Sequence, residues 1–334
     1  MTPPRGRTIW VLALLVPAAA LLALLVGRYG LLRIGEAFQA LVGRPDFDAT
    51  LRSLIVRVRL PRVLAAACIG ANLAVSGAAF QGLFRNPLVD SRILGISSGA
   101  AFGAALALLV SAGALGLQGA AFFFALAAVG LVYLIGMRFG SAPLILVVGG
   151  ILVSALFQAL LGLLKYVADP LSSLPAITYW LLGGLGSAHW GTIGPLLGIT
   201  LAGLAFFFAI RWRLNVLTLT ENEALALGVR VRGLRAAVLG VGTLLVAASV
   251  AVGGIIGWIG LVVPHLARAW VGPDHGRAIP AAAALGALAL IVLDTVARTA
   301  LASEIPLGIL AGLLGVPAFF VLFLRFLQVR GEAQ

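Results

Sequence analysis

Charge is scarce in this chain. Asp, Glu, Lys and Arg make up only 10% of its 334 residues, where a soluble domain carries roughly 25%. Lysine is almost missing: among 23 basic residues only Lys165 is a lysine. The phosphate-binding loop of ATPases ends in Gly-Lys-Ser/Thr, and Lys165 lies in "LLKYV" with no glycine beside it. The chain cannot supply that loop, so any ATP-driven process must use an ATPase on another subunit. Cysteine is reduced to Cys68, which excludes an intrachain disulfide. It sits in an apolar run, as a small core residue would. The three histidines have no metal-ligand spacing, and a structural or hydrogen-bonding role is expected for His265. Basic residues outnumber acids to give +12, but they are scattered over short loops. No basic stripe with interleaved aromatics is present, which argues against nucleic acid. The excess reads as a topology signal.

What the chain has in abundance is apolar length. Hydrophobic residues reach 62%, and runs of about 20, each enough to cross a bilayer core, recur throughout. These features predict an all-α, polytopic membrane protein forming a single domain over 1–334. Ten spans are expected near 9–27, 62–82, 93–112, 116–137, 143–166, 192–210, 234–252, 255–271, 280–297 and 307–327. The first apolar run, "TIWVLALLVPAAALLALLV", exceeds the signal-peptide core of about 7–15 residues and reads as an uncleaved span. The eighth is short and interrupted by Pro264. The connection "DPLSSLPAITYWLLGGLGSAHWG" after the fifth has room for a short helix. An even count places both termini on one side. Putting them in the cytoplasm leaves most arginines inside, as the positive-inside bias requires. Glycines recur at spacing four (Gly95, Gly99 and Gly103; Gly253 and Gly257; Gly308 and Gly312), which suits close helix packing in lipid. "LPRVLAAACIGANLAVSGA" and "GLRAAVLGVGTLLVAASVAVGG" open the second and seventh spans, in opposite directions, as an inverted repeat would.

Four motifs carry candidate chemistry. "GISSG" (95–99) matches the hydrolase elbow, but it opens a small-residue membrane helix instead of joining a strand to a helix. Asp294 and Arg298, four apart, share one helix face near the outer end of the ninth span. They can pair with each other, and Arg298 can also face an acidic partner. Arg57, Arg59 and Arg62 ("RVRLPR") stand where the outer loop enters the second span. There they can meet lipid headgroups or dock an acidic soluble partner. Finally, "TLTENEALALGVRVR" (218–232) reads as a capped helix of about two turns inside a cytoplasmic loop, about 212–233. Thr220 and Glu223 fit a capping box, acids lie in the first turn, and Gly228 closes the end.

Five stretches resemble a known family: "RLPRVLAAACIGANLAVSGAAFQGLFRNPLVDSRILGISSGA", "YWLLGGLG", "EALALGV", "GGIIGWIGLVVPHLARAWVGPDHGRAIPAAAALGA" and "LDTVARTALASEIPLGILAGLLGVPAFF". They run from about 59 to 325. The chain is similar to the permease subunit of ABC importers for iron–siderophore complexes, haem and cobalamin. The resemblance implies ten spans per subunit in the bacterial inner membrane and a homodimer with its path on the two-fold axis. It also implies two separate ATP-binding subunits, which hold ATP and Mg, and a periplasmic binding protein; this chain would carry no cofactor and no catalytic residue. By the same resemblance Thr220, Glu221, Glu223, Ala224, Leu225, Leu227 and Gly228 form a coupling helix seated in the ATPase. Arg59, Arg62 and Arg298 would meet acids of the binding protein, while Arg57 has no counterpart. "TYWLLGGLGSAHWG" would lie near the outer gate. A metal chelate, ferric siderophore or haem first, is the expected cargo, with cobalamin or an oxyanion such as molybdate as alternatives. The rival class is an ion-gradient-driven transporter. Such transporters usually place acids near mid-bilayer, whereas Asp294 is the one acid inside a span and lies near an end.

Overall fold

A computed structural model describes residues 5–27, 30–31, 34–42, 48–139, 143–219, 221–229 and 231–331. Among the described residues helices predominate, with one two-residue antiparallel pairing of Val26–Gly27 with Gly30–Leu31. In order the helices are α1 (Arg5–Leu25), α2 (Ile34–Val42), α3 (Ala49–Ser53), α4 (Leu60–Leu83), α5 (Ile96–Leu109), α6 (Gly113–Phe139) and α7 (Pro143–Val167). They continue as α8 (Ser173–Leu181), α9 (Trp190–Leu217), α10 (Glu221–Ala226), α11 (Val231–Gly253), α12 (Ile259–Val271), α13 (His275–Thr299) and α14 (Leu307–Gly331). A π-helical segment, Leu54–Arg59, runs straight into α4. Among the described residues six helices are long and apolar enough to cross a membrane, and four shorter apolar ones (in α1, α5, α12 and α14) complete the expected set of ten. The short helix expected after the fifth span is α8.

α4 is the hub of the bundle. It packs against α9, α11, α12 and α13, and Ala, Gly and Ser residues along it are buried on every side. Lipid tails are as apolar as leucine, so helices in a bilayer associate mainly by packing, which small residues tighten. A Cβ on Gly70 would stand 2.1 Å from the Gly286 carbonyl oxygen of α13, and one on Gly77 would stand 1.9 Å from that of Gly260 in α12. α5 lies on α6 in the same way: a Cβ on Gly99 would reach 2.3 Å from the Phe124 carbonyl oxygen. Gly99 and Gly103 therefore serve packing, as their spacing suggested, whereas Gly95 starts α5 at φ +79° with only ordinary contacts. α4 and α11 run antiparallel, since Asn72 bonds Ser249 while Ser76 bonds the Gly242 carbonyl. This is the arrangement expected of the two similar stretches.

One polar cluster inside the bundle links three helices. Asn72 Nδ2 donates to Thr200 Oγ1 at 2.9 Å and to Ser249 Oγ at 3.1 Å, joining α4, α9 and α11. By contrast α6 and α7 expose most of their apolar length, leaving faces for lipid or another chain.

Candidate functional site

Two constructions lie at opposite ends of the bundle. At the first, the start of α4 meets the ends of α1 and α13. Arg62 Nε donates to both Asp294 oxygens at 2.9 and 3.1 Å, and Arg62 Nη1 to Glu304 Oε1 at 2.9 Å. Arg298 Nε stands 3.7 Å from Asp294 Oδ2, and its Nη2 donates to the Ala23 carbonyl. Arg59 Nη1 donates to the carbonyls of Leu24 and Leu25 at 2.6 and 3.2 Å. The last carbonyls of a helix have no partner within it, and a cation there is favoured by the dipole. Arg59 and Arg298 thus cap α1, while Asp294 binds Arg62 and Arg298 together.

This differs from the expectation that Arg59, Arg62 and Arg298 face outward to a partner. They are 3%, 8% and 6% exposed, with their guanidinium groups turned into the bundle. A charge at this depth is costly unless paired, and the available carboxylates and carbonyls draw it inward. Arg57 is exposed. Glu304, not singled out from the sequence, completes the network from the "SEIPL" stretch; an acid beside a span whose partner arginine was already in view was the signal for it.

Beside this network, three irregular backbone stretches converge. Gly184 N–H donates to the Gly253 carbonyl at 2.9 Å, Leu307 N–H to Gly183 at 3.0 Å and Gly308 N–H to Leu182 at 2.9 Å. Non-helical backbone at membrane depth is tolerated where it is buried in protein or lines a cavity. Here it borders a cavity of about 580 Å³, with Arg62 and Glu304 on one wall and Tyr179, Trp180, Leu108 and Val252 among the rest. "YWLLGGLG" therefore belongs to this site.

At the other end lies α10. Thr220, the expected cap, falls outside the described residues, as do the side chain of Glu221 and all of Arg230. The closing turn is explicit. Gly228 has φ +74°, its N–H donates to the Leu225 carbonyl at 2.9 Å, and Val229 N–H donates to Ala224 at 3.1 Å. This is the Schellman pattern anticipated from Gly228. Ala224 is buried against the bundle, while Glu223, Leu225 and Leu227 are exposed. Two large apolar side chains on a polar turn make a ready contact surface.

The helix feeding α10 is anchored by residues the sequence reading passed over. Arg85 Nε donates to the Leu217 carbonyl at 3.0 Å, holding the end of α9 to α4. Asn215 Nδ2 donates to Asp274 Oδ1 at 2.6 Å, and Asn215 Oδ1 accepts the His275 N–H at 2.9 Å, tying α9 to the start of α13. Together with the Gly276 N–H, the Asn215 amide holds the Asp274 carboxyl below its usual range. Arg268 donates to Gln81 Oε1 at 2.5 Å, linking α12 to α4.

The remaining candidates fall apart spatially. Ser97 is buried at the start of α5. His189 caps α9 through the Gly191 N–H at 3.2 Å, and His265 Nδ1 lies 2.8 Å from the Leu261 carbonyl oxygen. Among the described residues no three His, Cys, Asp or Glu side chains converge. Cys68 is buried, as expected.

The profile of the FecCD transport family matches residues 14–325. The chain is 39% identical over 319 residues to the molybdate import system permease protein MolB of Haemophilus influenzae, covering 95% of each chain. It is 39% identical over 313 residues to the hemin transport system permease protein HmuU of Yersinia pestis, covering 91% of this chain and 93% of that one. A solved structure of a transporter assigned to the metal-chelate ABC type, in an inward-facing conformation, superposes with a TM-score of 0.88 at 38% identity, covering 96% of this chain and 99% of its own. The chain belongs to the FecCD transport family, the membrane-spanning permeases of ABC importers.

Proposed function

We propose that the chain is the permease of an ATP-driven importer that carries a metal chelate, ferric siderophore or haem, from periplasm to cytoplasm across the bacterial inner membrane. It works as a homodimer with two ATP-binding subunits and a periplasmic binding protein. ATP and Mg reside on the ATP-binding subunits. Both termini are cytoplasmic, and the apolar faces of α7 and α14 meet the second copy or lipid. The binding protein docks at the end bearing Arg57. Arg59, Arg62 and Arg298 lie beneath that surface and hold α1 and α13 against α4. α10, with Glu221, Glu223, Ala224, Leu225, Leu227 and Gly228, takes the push of the ATPase. Its motion reaches α4 and α13 through Arg85 and Asn215.

The observation that favours a chelate is the wall chemistry of the 580 Å³ cavity. The one cation among its described lining residues, Arg62, is already paired with two carboxylates. A small oxyanion needs unpaired donors; a large chelate can be held by apolar and aromatic walls. The likeness to a molybdate permease favours the second reading, an oxyanion cargo. Uptake separates the two. The permease, co-expressed with its ATP-binding and binding-protein partners, is offered labelled ferric siderophore, haem, cobalamin and molybdate in parallel. Accumulation of an iron chelate alone is expected. Accumulation of molybdate alone would overturn the cargo and leave the importer standing.

A further inference from the structure

At the α10 end, a groove of about 540 Å³ opens between α6, α7 and α11, with Arg232, Arg235 and Tyr133 at its mouth and Leu146 and Leu239 along its floor. It continues into a second, almost wholly apolar cleft of about 260 Å³, which shares Tyr133, Leu146, Ala236 and Leu239. Two glycines on facing helices, Gly130 of α6 and Gly240 of α11, line the cleft, and a Cβ on either would meet no atom within 4 Å. At Gly70, Gly77 and Gly99 the missing side chain lets backbones touch. Here it leaves a slot open.

Arg232 and Arg235 make no ion pair among the described residues. Both lie in or next to the first turn of α11, which holds no acid and where the helix dipole favours anions and opposes cations. Arg138, exposed at the end of α6, adds a third cation at the same end. We infer that the groove binds an anionic phospholipid of the cytoplasmic leaflet, its phosphate between Arg232 and Arg235 and an acyl chain along Leu146 and Leu239 into the Gly130–Gly240 slot. Basic pockets between transmembrane helices on the cytoplasmic side suit such headgroups. The amphipathic run from cation to apolar slot matches a phospholipid and not free phosphate, which would leave the slot empty. Assignment of the leaflet rests on the proposed function, which places α10 in the cytoplasm.

The test uses the full chain purified in detergent, with phosphatidylglycerol and phosphatidylcholine competing for retention and read by native mass spectrometry. The wild type is expected to favour phosphatidylglycerol. Arg232→Gln with Arg235→Gln should lower that preference by a factor of about five per arginine. Gly240→Phe should reduce retention of both lipids, because its ring fills a slot that is open in the fold. Arg52→Gln, an exposed cation at the opposite end, should change nothing. No preference in the wild type, a preference that survives the double substitution, undiminished retention by Gly240→Phe, or an equal loss from Arg52→Gln would each overturn the proposal. So would loss of ATP-binding-subunit capture by the double variant with lipid preference intact, which would assign the groove to the ATPase. Labelling of Gly233→Cys with an impermeant maleimide fixes the side, since Cys68 is buried. Reaction only in inverted vesicles supports the leaflet. Reaction from outside overturns the leaflet and the functional reading together, whereas lost lipid preference with inside labelling overturns the site alone.

Discussion

Replacing Asp294 with Asn removes the one carboxylate that serves both Arg62 and Arg298. Asp294 is 1% exposed and accepts from Arg62 Nε at 2.9 and 3.1 Å. Breaking a buried pair from one side leaves a buried cation uncompensated, at about 3–5 kcal/mol. Glu304 still neutralises part of Arg62, which argues for the lower end of that range. Arg298 retains only carbonyl and hydroxyl acceptors. Glu304→Gln provides the internal comparison. Its side chain is 31% exposed, so water can replace the pairing, and a loss of about 1 kcal/mol or less is expected. Both are read by titrating the detergent-solubilised permease with a denaturing detergent and following helicity and intrinsic tryptophan emission. The account requires Asp294→Asn to unfold well before Glu304→Gln. Equal midpoints would refute it, because they would mean that the arginines are free docking cations and not parts of a paired interior.

Gly228→Val places a β-branched residue at φ +74°, where an ordinary L-residue is strained by about 1–2 kcal/mol. The six-residue α10 should lose its end, and stimulation of the partner ATPase by loaded binding protein should fall while membrane insertion stays intact; unaltered stimulation would contradict the coupling role. Asn72→Leu removes the amide that donates to Thr200 and Ser249, although Ser249 still donates to the Leu245 carbonyl, and should lower stability by roughly 0.6–2 kcal/mol in the same titration, whereas an unchanged midpoint would show that these bonds carry nothing. Asp274 titrates below its usual range because of Asn215 and the Gly276 N–H. Its stabilisation is therefore complete above about pH 4 and is lost as pH falls through the lower folded value. The stability gap between wild type and Asp274→Asn should hold level from pH 7 to 5 and close below about pH 4; a gap that widens on acidification would contradict the sign.

The spans were legible because bilayer thickness imposes a length on every apolar run, and α1, α4–α7 and α11–α14 emerged within about five residues of their expected places, while α9 runs seven residues past its expected end. α10 was legible because turn chemistry is local: Gly228 carries its signature in the sequence and keeps it in the fold. The outer arginines were found by position, but the partners of Arg59 and Arg62 within the chain were not. Nothing near Arg62 in sequence indicates that Asp294 and Glu304, on other segments, converge on it. Sequence places a charge at the edge of a span; only tertiary packing decides whether it turns to water or to a buried carboxylate. Asn215 and Arg85 were missed for the same reason, since their partners, Asp274 and the Leu217 carbonyl, are remote in the chain. The groove under Arg232 is likewise a property of three helices together.

The most direct test of the central claim, that this chain moves cargo using energy delivered through α10 by a separate ATPase, is uptake into cells or vesicles holding the full complex with ion gradients collapsed and ATP maintained. The account predicts accumulation that continues under these conditions and stops when ATP is withdrawn. Accumulation that stops with the gradients and ignores ATP would contradict it, and would make the chain an ion-driven transporter.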